Sequence, residues 1–375
     1  MIKRDILASI KDRLFKGKVI VLTGPRQVGK TTLLRQLTEE FDLSTVLSLN
    51  CDEPDICILL QNVTSTQLKS LVGKHTLILI DEAQKVENIG LTLKLMVDNL
   101  PDIQIIASGS SAFDLRNQLN EPLTGRKFEY HLYPFSIHEL VQHTSELIER
   151  RLLEQRMIYG MYPDVINQPT DGLRLLRELS NSYLFKDILA YKDVRRPEEL
   201  TKLLTALALQ VGSEISYNEL GRTLGLDKET VERYLNLLEK VFVVFRLSSF
   251  SRNMRNELKK SKKVYFYDNG VRNAIINNFS PLALRTDVGA LWENFIISER
   301  KKLNDYRGNY VNSYFWRTLS QQEIDLIEEK DGILHTFELK WNENKKVSLP
   351  ASFSMAYPQN SYTVITPANY IEFLK

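Results

Sequence analysis

The stretch Val19-Ile-Val-Leu-Thr-Gly-Pro-Arg-Gln-Val-Gly-Lys-Thr-Thr-Leu-Leu-Arg-Gln-Leu37 decides how the N-terminal part of the chain reads. Val19–Leu22 is a continuous apolar run of strand length, and Thr31–Leu37 has the composition of a helix. Between them, Gly24, Pro25, Arg26, Gln27, Val28, Gly29, Lys30 and Thr31 place two glycines, a lysine and a threonine at P-loop spacing, with Thr32 next in line. The glycines let the backbone turn its N–H groups inward, at the positive end of the following helix, where they meet phosphate oxygens. In that arrangement Lys30 reaches the β- and γ-phosphates of ATP, and the Thr31 hydroxyl holds Mg²⁺.

Working outward, Leu77-Ile-Leu-Ile80 is a second apolar strand, and it ends in Asp81-Glu82, the form of a Walker B box. Asp81 is the expected second Mg²⁺ ligand, and Glu82 the general base that polarises the attacking water. The strand Ile103–Ala107 runs into Ser108-Gly109-Ser110-Ser111, where Ser110 is the first choice for sensing the γ-phosphate and Ser108 the alternative. Small residues at a strand end are also plain turn formers. Arg126, in Thr124-Gly125-Arg126, suits an arginine finger toward a neighbouring copy in a homo-oligomer, and equally a surface salt bridge.

With Thr45–Leu49, these runs form an expected parallel sheet with helices between its strands, an α/β P-loop domain over residues 1–145. A chain of 375 residues has room for two or three domains. Its 43% hydrophobic and 26% charged residues are ordinary for a globular protein, and a net charge of +2 exerts no global pull on nucleic acid. The longest apolar runs are too short to cross a bilayer, and the charged N-terminus lacks a signal peptide's apolar stretch. Two cysteines, Cys51 and Cys57, and five histidines exclude a disulfide scaffold and argue for reduced thiols in a cytoplasmic protein.

Residues 146–210 read as a helical connector, and 211–280 as a winged helix-turn-helix. Ser216-Tyr-Asn-Glu219 is a capping box opening Tyr217–Leu224; Gly225 ends that helix, and Asp227 caps Lys228–Lys240. The exposed face of the second helix carries Lys228, Glu229, Glu232, Arg233, Glu239 and Lys240, which cancel in charge and ill suit a major-groove reader. Arg252, Arg255, Lys259, Lys260, Lys262 and Lys263 oppose only Glu257, and this basic segment is the candidate contact to DNA phosphates. A solvated charged loop explains it as well.

Residues 281–375 return to α/β. If Asp331-Gly332 is a two-residue type I′ turn, Lys330 pairs with Ile333, Asp325 faces Glu338, and Glu323 faces Lys340. Facing carboxylates need a cation. Asp325 and Glu338 with Mg²⁺ between them, and Lys340 beside the attacking water, make the layout of a PD-(D/E)xK nuclease site. Glu293, on the helix Gly289–Lys302, is a further candidate ligand. A simple cross-strand pair of Glu323 with Lys340, and a surface Glu293, satisfy the same residues.

Taken together, the chain resembles bacterial and archaeal AAA+-type ATPases whose P-loop domain is joined to a winged helix and a nuclease-like C-terminal domain of unknown function. The likeness rests on Leu22–Thr32, Ile80-Asp-Glu-Ala-Gln84, Gly109-Ser-Ser111, Gly125-Arg126, Tyr133-Pro-Phe-Ser-Ile-His-Glu139, Tyr265-Phe-Tyr-Asp-Asn-Gly270, Glu323-Ile-Asp-Leu326 and Phe337-Glu-Leu-Lys340. It implies ATP binding and hydrolysis, and an AAA+-like parallel sheet followed by a small restriction-endonuclease-like fold. Two readings follow: an enzyme that cuts DNA in an ATP-driven process, or an ATP-dependent switch or assembly protein with an inactive nuclease-like domain.

Overall fold

The computed structural model describes residues 1–110, 123–180, 196–251, 262–318 and 320–375. Ser111, Arg252, Arg255, Glu257, Lys259 and Lys260, all named above, lie outside the described residues. Contacts gather the chain into two units, Lys3–Tyr133 with Met1 and Lys240–Phe242, and Pro134–Glu239 with Val243–Lys375 and Ile2. The four segments read from the sequence mark changes of secondary-structure type, whereas a unit is set by which elements share a core.

The first unit is built on β1 (Val19–Thr23), β2 (Val46–Asn50), β3 (Leu77–Asp81), β4 (Gln104–Gly109) and β5 (Lys127–His131). These lie in the order β2-β3-β4-β1-β5, and every neighbouring pair is parallel. The apolar runs mark β1 to β4 to within two residues. β5 escapes them because Lys127-Phe-Glu-Tyr-His131 is an edge strand, half-buried at every position and alternating in polarity. Since all strands are parallel, the P-loop after β1, Asp81 at the end of β3 and Ser108 near the end of β4 fall on one edge of the sheet.

α1 (Lys30–Thr38) follows the P-loop and buries Leu33, Leu34 and Leu37. α2 (Ile89–Asn99) lays Leu93 and Met96 against Val19, Val21, Ile78, Ile80, Ile105 and Ala107 of the sheet. Its apolar residues recur at helical spacing, so one stripe meets the sheet's continuous apolar face.

The second unit begins with short helices between Ile137 and Leu209 and then forms a seven-stranded sheet. Its strands are β6 (Glu214–Ile215), β7 (Val244–Ser249), β8 (Lys262–Phe266), β9 (Asn312–Arg317), β10 (Glu323–Lys330), β11 (Ile333–Leu339) and β12 (Asn360–Ile365). The order is β12-β11-β10-β9-β7-β8-β6. Strands from residues 211–280 and from 281–375 therefore share one sheet, joined where β7 and β9 pair in parallel through Ser248–Tyr314 and Ser249–Phe315.

Between β6 and β7 lie α3 (Tyr217–Leu224) and α4 (Lys228–Lys240). Only half of the expected capping box forms: Ser216 Oγ accepts from the Glu219 amide at 3.3 Å. Gly225 closes α3 with φ of 71°, and Asp227 caps α4 by accepting from the Thr230 amide at 2.6 Å. After β8, Asp268 is buried and accepts from the amides of Met161 (2.7 Å) and Val271 (3.0 Å), capping α5 (Asn269–Ile275). A Cβ on Gly270 would stand 2.1 Å from the Tyr159 carbonyl oxygen. Asp268 and Gly270 thus owe their residue types to the helix cap and to a close backbone approach. α6 (Val288–Arg307) is a long helix in which Leu291, Trp292, Phe295 and Ile296 are buried.

Among the described residues no helix is long and apolar enough to cross a membrane. Leu93 is fully buried, so Leu93→Ala should destabilise the first unit by about 2–5 kcal/mol, because a cavity adds to the lost transfer energy. Urea unfolding followed by a probe in that unit measures it; a shift near zero would mean that α2 does not pack as described.

Candidate functional site

The loop after β1 is shaped by steric exclusion. A Cβ on Gly24 would stand 2.1 Å from the Leu132 carbonyl oxygen, and the Leu132 amide donates to the Thr23 carbonyl at 2.7 Å. Gln27 (φ 60°) and Gly29 (φ 91°) both take the left-handed conformation, which curls the loop back over itself. Val28 is buried, Arg26 is half-buried, and Gln27, Thr31 and Thr32 are exposed. Arg4, which the sequence reading did not single out, donates to the carbonyls of Val28 (3.4 Å) and Tyr133 and so braces the loop from beneath.

Inside this cradle the Lys30 ammonium donates to the carbonyls of Gly24 and Pro25, each at 2.9 Å. The Thr31 hydroxyl donates to Asp81 Oδ2 at 2.8 Å. Asp81 Oδ1 accepts from the Ser108 hydroxyl and from the Glu82 amide (3.0 Å). Glu82 itself sits at φ 51°, a left-handed position for a residue with a side chain. Its Oε2 accepts from Gln84 Nε2 at 2.5 Å, and the same amide nitrogen donates to Ser110 Oγ at 3.1 Å.

The two serines therefore divide their tasks. Ser108 fixes Asp81, and Ser110 reaches Glu82 only through Gln84. Neither Ser108's contact nor Gln84 was assigned from the sequence; the signal for Gln84 was its place three residues after Asp81 in a short turn. A hydroxyl and a carboxylate oxygen that meet beside a lysine are the hard oxygen donors Mg²⁺ takes, so Thr31 and Asp81 fit that ion.

Arg126 stands elsewhere. Its carbonyl accepts from the Val19 amide at the start of β1, whereas the P-loop leaves the other end of that strand. Its guanidinium pairs with Asp98 at 2.7 Å, both side chains being exposed. The surface salt bridge read from the sequence as the alternative to an arginine finger is formed with Asp98. Cys51 and Cys57 are free thiols, and burial pushes the Cys51 thiol up to about 12, so it is no nucleophile.

The second cluster lies in the other unit. Asp331 (φ 51°) and Gly332 (φ 79°) form the expected two-residue turn, and β10 pairs with β11 from Lys330–Ile333 to Leu326–Phe337 in the expected register. Asp325 Oδ2 accepts from the Leu339 amide (2.8 Å) and from Lys340 (3.1 Å), and Lys340 also pairs with Glu338 at 2.6 Å. Asp325, Glu338 and Lys340 do come together. Glu323 does not join Lys340. A one-residue shift in the β9–β10 ladder between Ile324 and Ile327 breaks the alternation, and Glu323 instead meets Lys263 at 2.5 Å.

Lys263 also corrects the reading of the basic segment: it is 2% exposed and turned inward. It donates to Glu293 of α6 at 2.9 Å, and the Tyr265 hydroxyl donates to the same Glu293 oxygen at 2.6 Å. Glu293 is thus no surface residue; burial above all, with Asp325 nearby, raises its pKa. Burial and Asp325 raise that of Glu338 as well. Burial works against the charge on Lys263, yet Glu293, Glu323 and Asp325 hold its pKa above the ordinary lysine range. The period-two spacing of Lys263 and Tyr265 along β8 was the available sign that both face one way.

These carboxylates do not fit a divalent ion as arranged. Their inward oxygens accept from two ammonium groups, a phenol and a backbone amide, and among the described residues no three Asp, Glu, His or Cys side chains converge on one point. A cleft of about 320 Å³, lined by Ser248, Arg300, Lys301 and Asn312 among others, includes none of these residues.

Comparison with known proteins gives the frame for both clusters. Residues 16–141 match the family model described as an AAA domain. Residues 150–282 and 288–373 match two described as domains of unknown function, DUF8612 and DUF4143. An uncharacterized protein of Mycobacterium tuberculosis is 28% identical over 355 residues, covering 92% of this chain and 75% of that one. An uncharacterized protein of Haemophilus influenzae is 26% identical over 374 residues, covering 92% and 88%. Among solved structures, Pif1 helicase from Candida albicans aligns with TM-score 0.28 at 16% identity, over 48% of each chain. Drosophila ORC bound to AT-rich DNA and Cdc6 aligns with TM-score 0.26 at 13% identity, over 72% of this chain and 91% of that one. Such scores are too low to define a common overall fold. Over residues 16–141 the chain is thus similar to an AAA domain, and over 288–373 to a domain whose family has no assigned function.

Proposed function

We propose that this protein binds ATP with Mg²⁺ at Gly24–Thr32, hydrolyses it, and uses the turnover as a switch for a partner or for its own assembly. The observation that carries the reading is the hydrogen bond between Thr31 and Asp81 beside the Lys30 ammonium. It joins the start of α1 to the end of β3 at the place where a triphosphate would lie. Lys30 donates to two loop carbonyls, which aims its ammonium into the loop where phosphate oxygens would lie. Thr31 and Asp81 would hold Mg²⁺, whose charge offsets that of the phosphates. Glu82 takes the proton from water as its oxygen bonds to the γ-phosphorus, and ADP leaves with the electrons of the broken P–O bond. Gln84 is a positioning residue: its amide, anchored on Ser110, orients the Glu82 carboxylate.

Lys30→Ala should abolish ATP binding. Glu82→Gln should bind normally but turn over about 10²–10⁴-fold more slowly, the usual worth of a general base. Equal turnover in Glu82→Gln and wild type, in a steady-state phosphate-release assay, would remove Glu82 from that role. Gly24→Ala should weaken ATP binding by about tenfold or more, equal to about 1.4 kcal/mol, because its methyl meets a backbone carbonyl that cannot yield; unchanged fluorescent-nucleotide affinity would refute the close approach.

For the second unit we read β6, α3, α4, β7 and β8 as a winged helix, and β9 to β12 with α6 as a nuclease-like fold. Both serve here as partner modules. The charges on α4 cancel, and Lys263 is withdrawn from the basic segment, which leaves less to hold DNA phosphates. One observation favours a DNA-cutting role instead: Asp325, Glu338 and Lys340 stand within contact distance. Labelled DNA with ATP and Mg²⁺ or Mn²⁺ separates the two. The switch reading expects no cleavage beyond that of an Asp325→Ala, Glu338→Ala variant, and cleavage lost in that variant would overturn it.

A further inference from the structure

The side chain at the centre of the second cluster comes from outside the elements that supply its carboxylates. Glu293 lies on α6, and Glu323 and Asp325 lie on β10, while Lys263 extends from β8, which pairs with β6 and β7. Its ammonium bridges Glu293 (2.9 Å) and Glu323 (2.5 Å) and lies 5.3 Å from the centre of the Phe315 ring. Lys340 does the same for Asp325 (3.1 Å) and Glu338 (2.6 Å). The cluster thus holds four carboxylates in two pairs, each pair closed by one ammonium.

We propose that Lys263 is the resident cation of this cluster, and that its ammonium keeps a divalent metal off Glu293 and Glu323. A divalent ion binds hard oxygens directly and needs several at once. The Glu293 oxygen facing the cluster already accepts from both Lys263 and Tyr265, so a metal enters only by expelling the ammonium. A lysine 2% exposed, tied to two carboxylates, has no second place to put its charge. The cluster then works as an internal tie between β8, β10 and α6. This deepens the switch reading for the second unit and is independent of the ATP chemistry.

Removal of the ammonium should open the site. The experiment uses the full chain with Asp81→Asn, without nucleotide, so that the P-loop edge contributes no metal binding, and reads free Mn²⁺ by its electron paramagnetic resonance signal. The Asp81→Asn chain should take up no Mn²⁺ at millimolar concentration. Adding Lys263→Met should create uptake of one Mn²⁺ per chain, lost again with Glu293→Gln. Stoichiometric uptake by the Asp81→Asn chain that disappears with Glu293→Gln would overturn the proposal, as would absence of uptake in a Lys263→Met chain with an unchanged melting temperature. A second measurement, on the chain with Lys263 intact, covers a Lys263→Met variant that does not fold. Amine labelling at Lys263, read by mass spectrometry, should be equally low with and without Mg²⁺; labelling that rises with Mg²⁺ would mean that the metal displaces the lysine, and the proposal fails. A cluster that does cut DNA would appear separately in the cleavage assay, which the Mn²⁺ titration does not depend on.

Discussion

The carboxylate of Asp81 is the point on which the candidate nucleotide site depends. One oxygen accepts from Thr31 in the P-loop helix, and the other from Ser108 at the end of β4 and from the Glu82 amide. The ends of β3 and β4 and the start of the P-loop helix are therefore tied through a single side chain. That tie exists only because β4 lies between β1 and β3 and all three run parallel. A parallel sheet buried on both faces puts its strand ends in register at one edge, where helix starts and turns gather polar groups. The apolar packing of α2 and the sheet core supplies the rigidity, and the edge then carries chemistry without carrying stability.

The second unit is organised by buried charge. Besides the two ammonium-closed carboxylate pairs, Lys302 and Glu299 of α6 are buried together; Glu299 accepts from the Ile137 amide at 2.6 Å and Lys302 donates to the Phe135 carbonyl at 3.2 Å. Arg156 meets buried Glu149 at 2.8 Å. Removing one partner of such a pair costs about 3–5 kcal/mol, because it strands a charge in a poorly solvating place. Pairs of this kind add little net stability over apolar packing, but they fix which elements meet. In a sheet assembled from distant stretches, with β7 and β9 joined through two residue pairs, that choice of partner matters. The ammonium of Lys263 does for β8, β10 and α6 what the Asp81 carboxylate does for α1, β3 and β4.

Much of this is legible in the sequence. The P-loop spacing, the strand ending in Asp81-Glu82, and the turn at Asp331-Gly332 are local patterns, and their consequences follow from backbone geometry over a few residues. The approach of Asp325 to Lys340 follows from the turn. β5 was not legible, since an edge strand with half its residues solvated carries no apolar run. The partner of Glu323 was not legible either, because one extra residue in a ladder reverses the faces beyond it and leaves no mark in composition.

By itself, the sequence determined the elements and their local chemistry: a glycine-rich turn at P-loop spacing between a buried strand and a helix, an acidic strand end, and a tight hairpin bearing alternating carboxylates. These depend on interactions between near neighbours in the chain. Only the tertiary structure decided which strand ends share an edge, that Gln84 stands between Glu82 and Ser110, that Arg126 lies at the far end of the sheet, and that Lys263 belongs to a carboxylate cluster rather than a basic surface. Each of those depends on strand order and on a charge finding its partner across tens of residues, and neither is written in any single stretch of the chain.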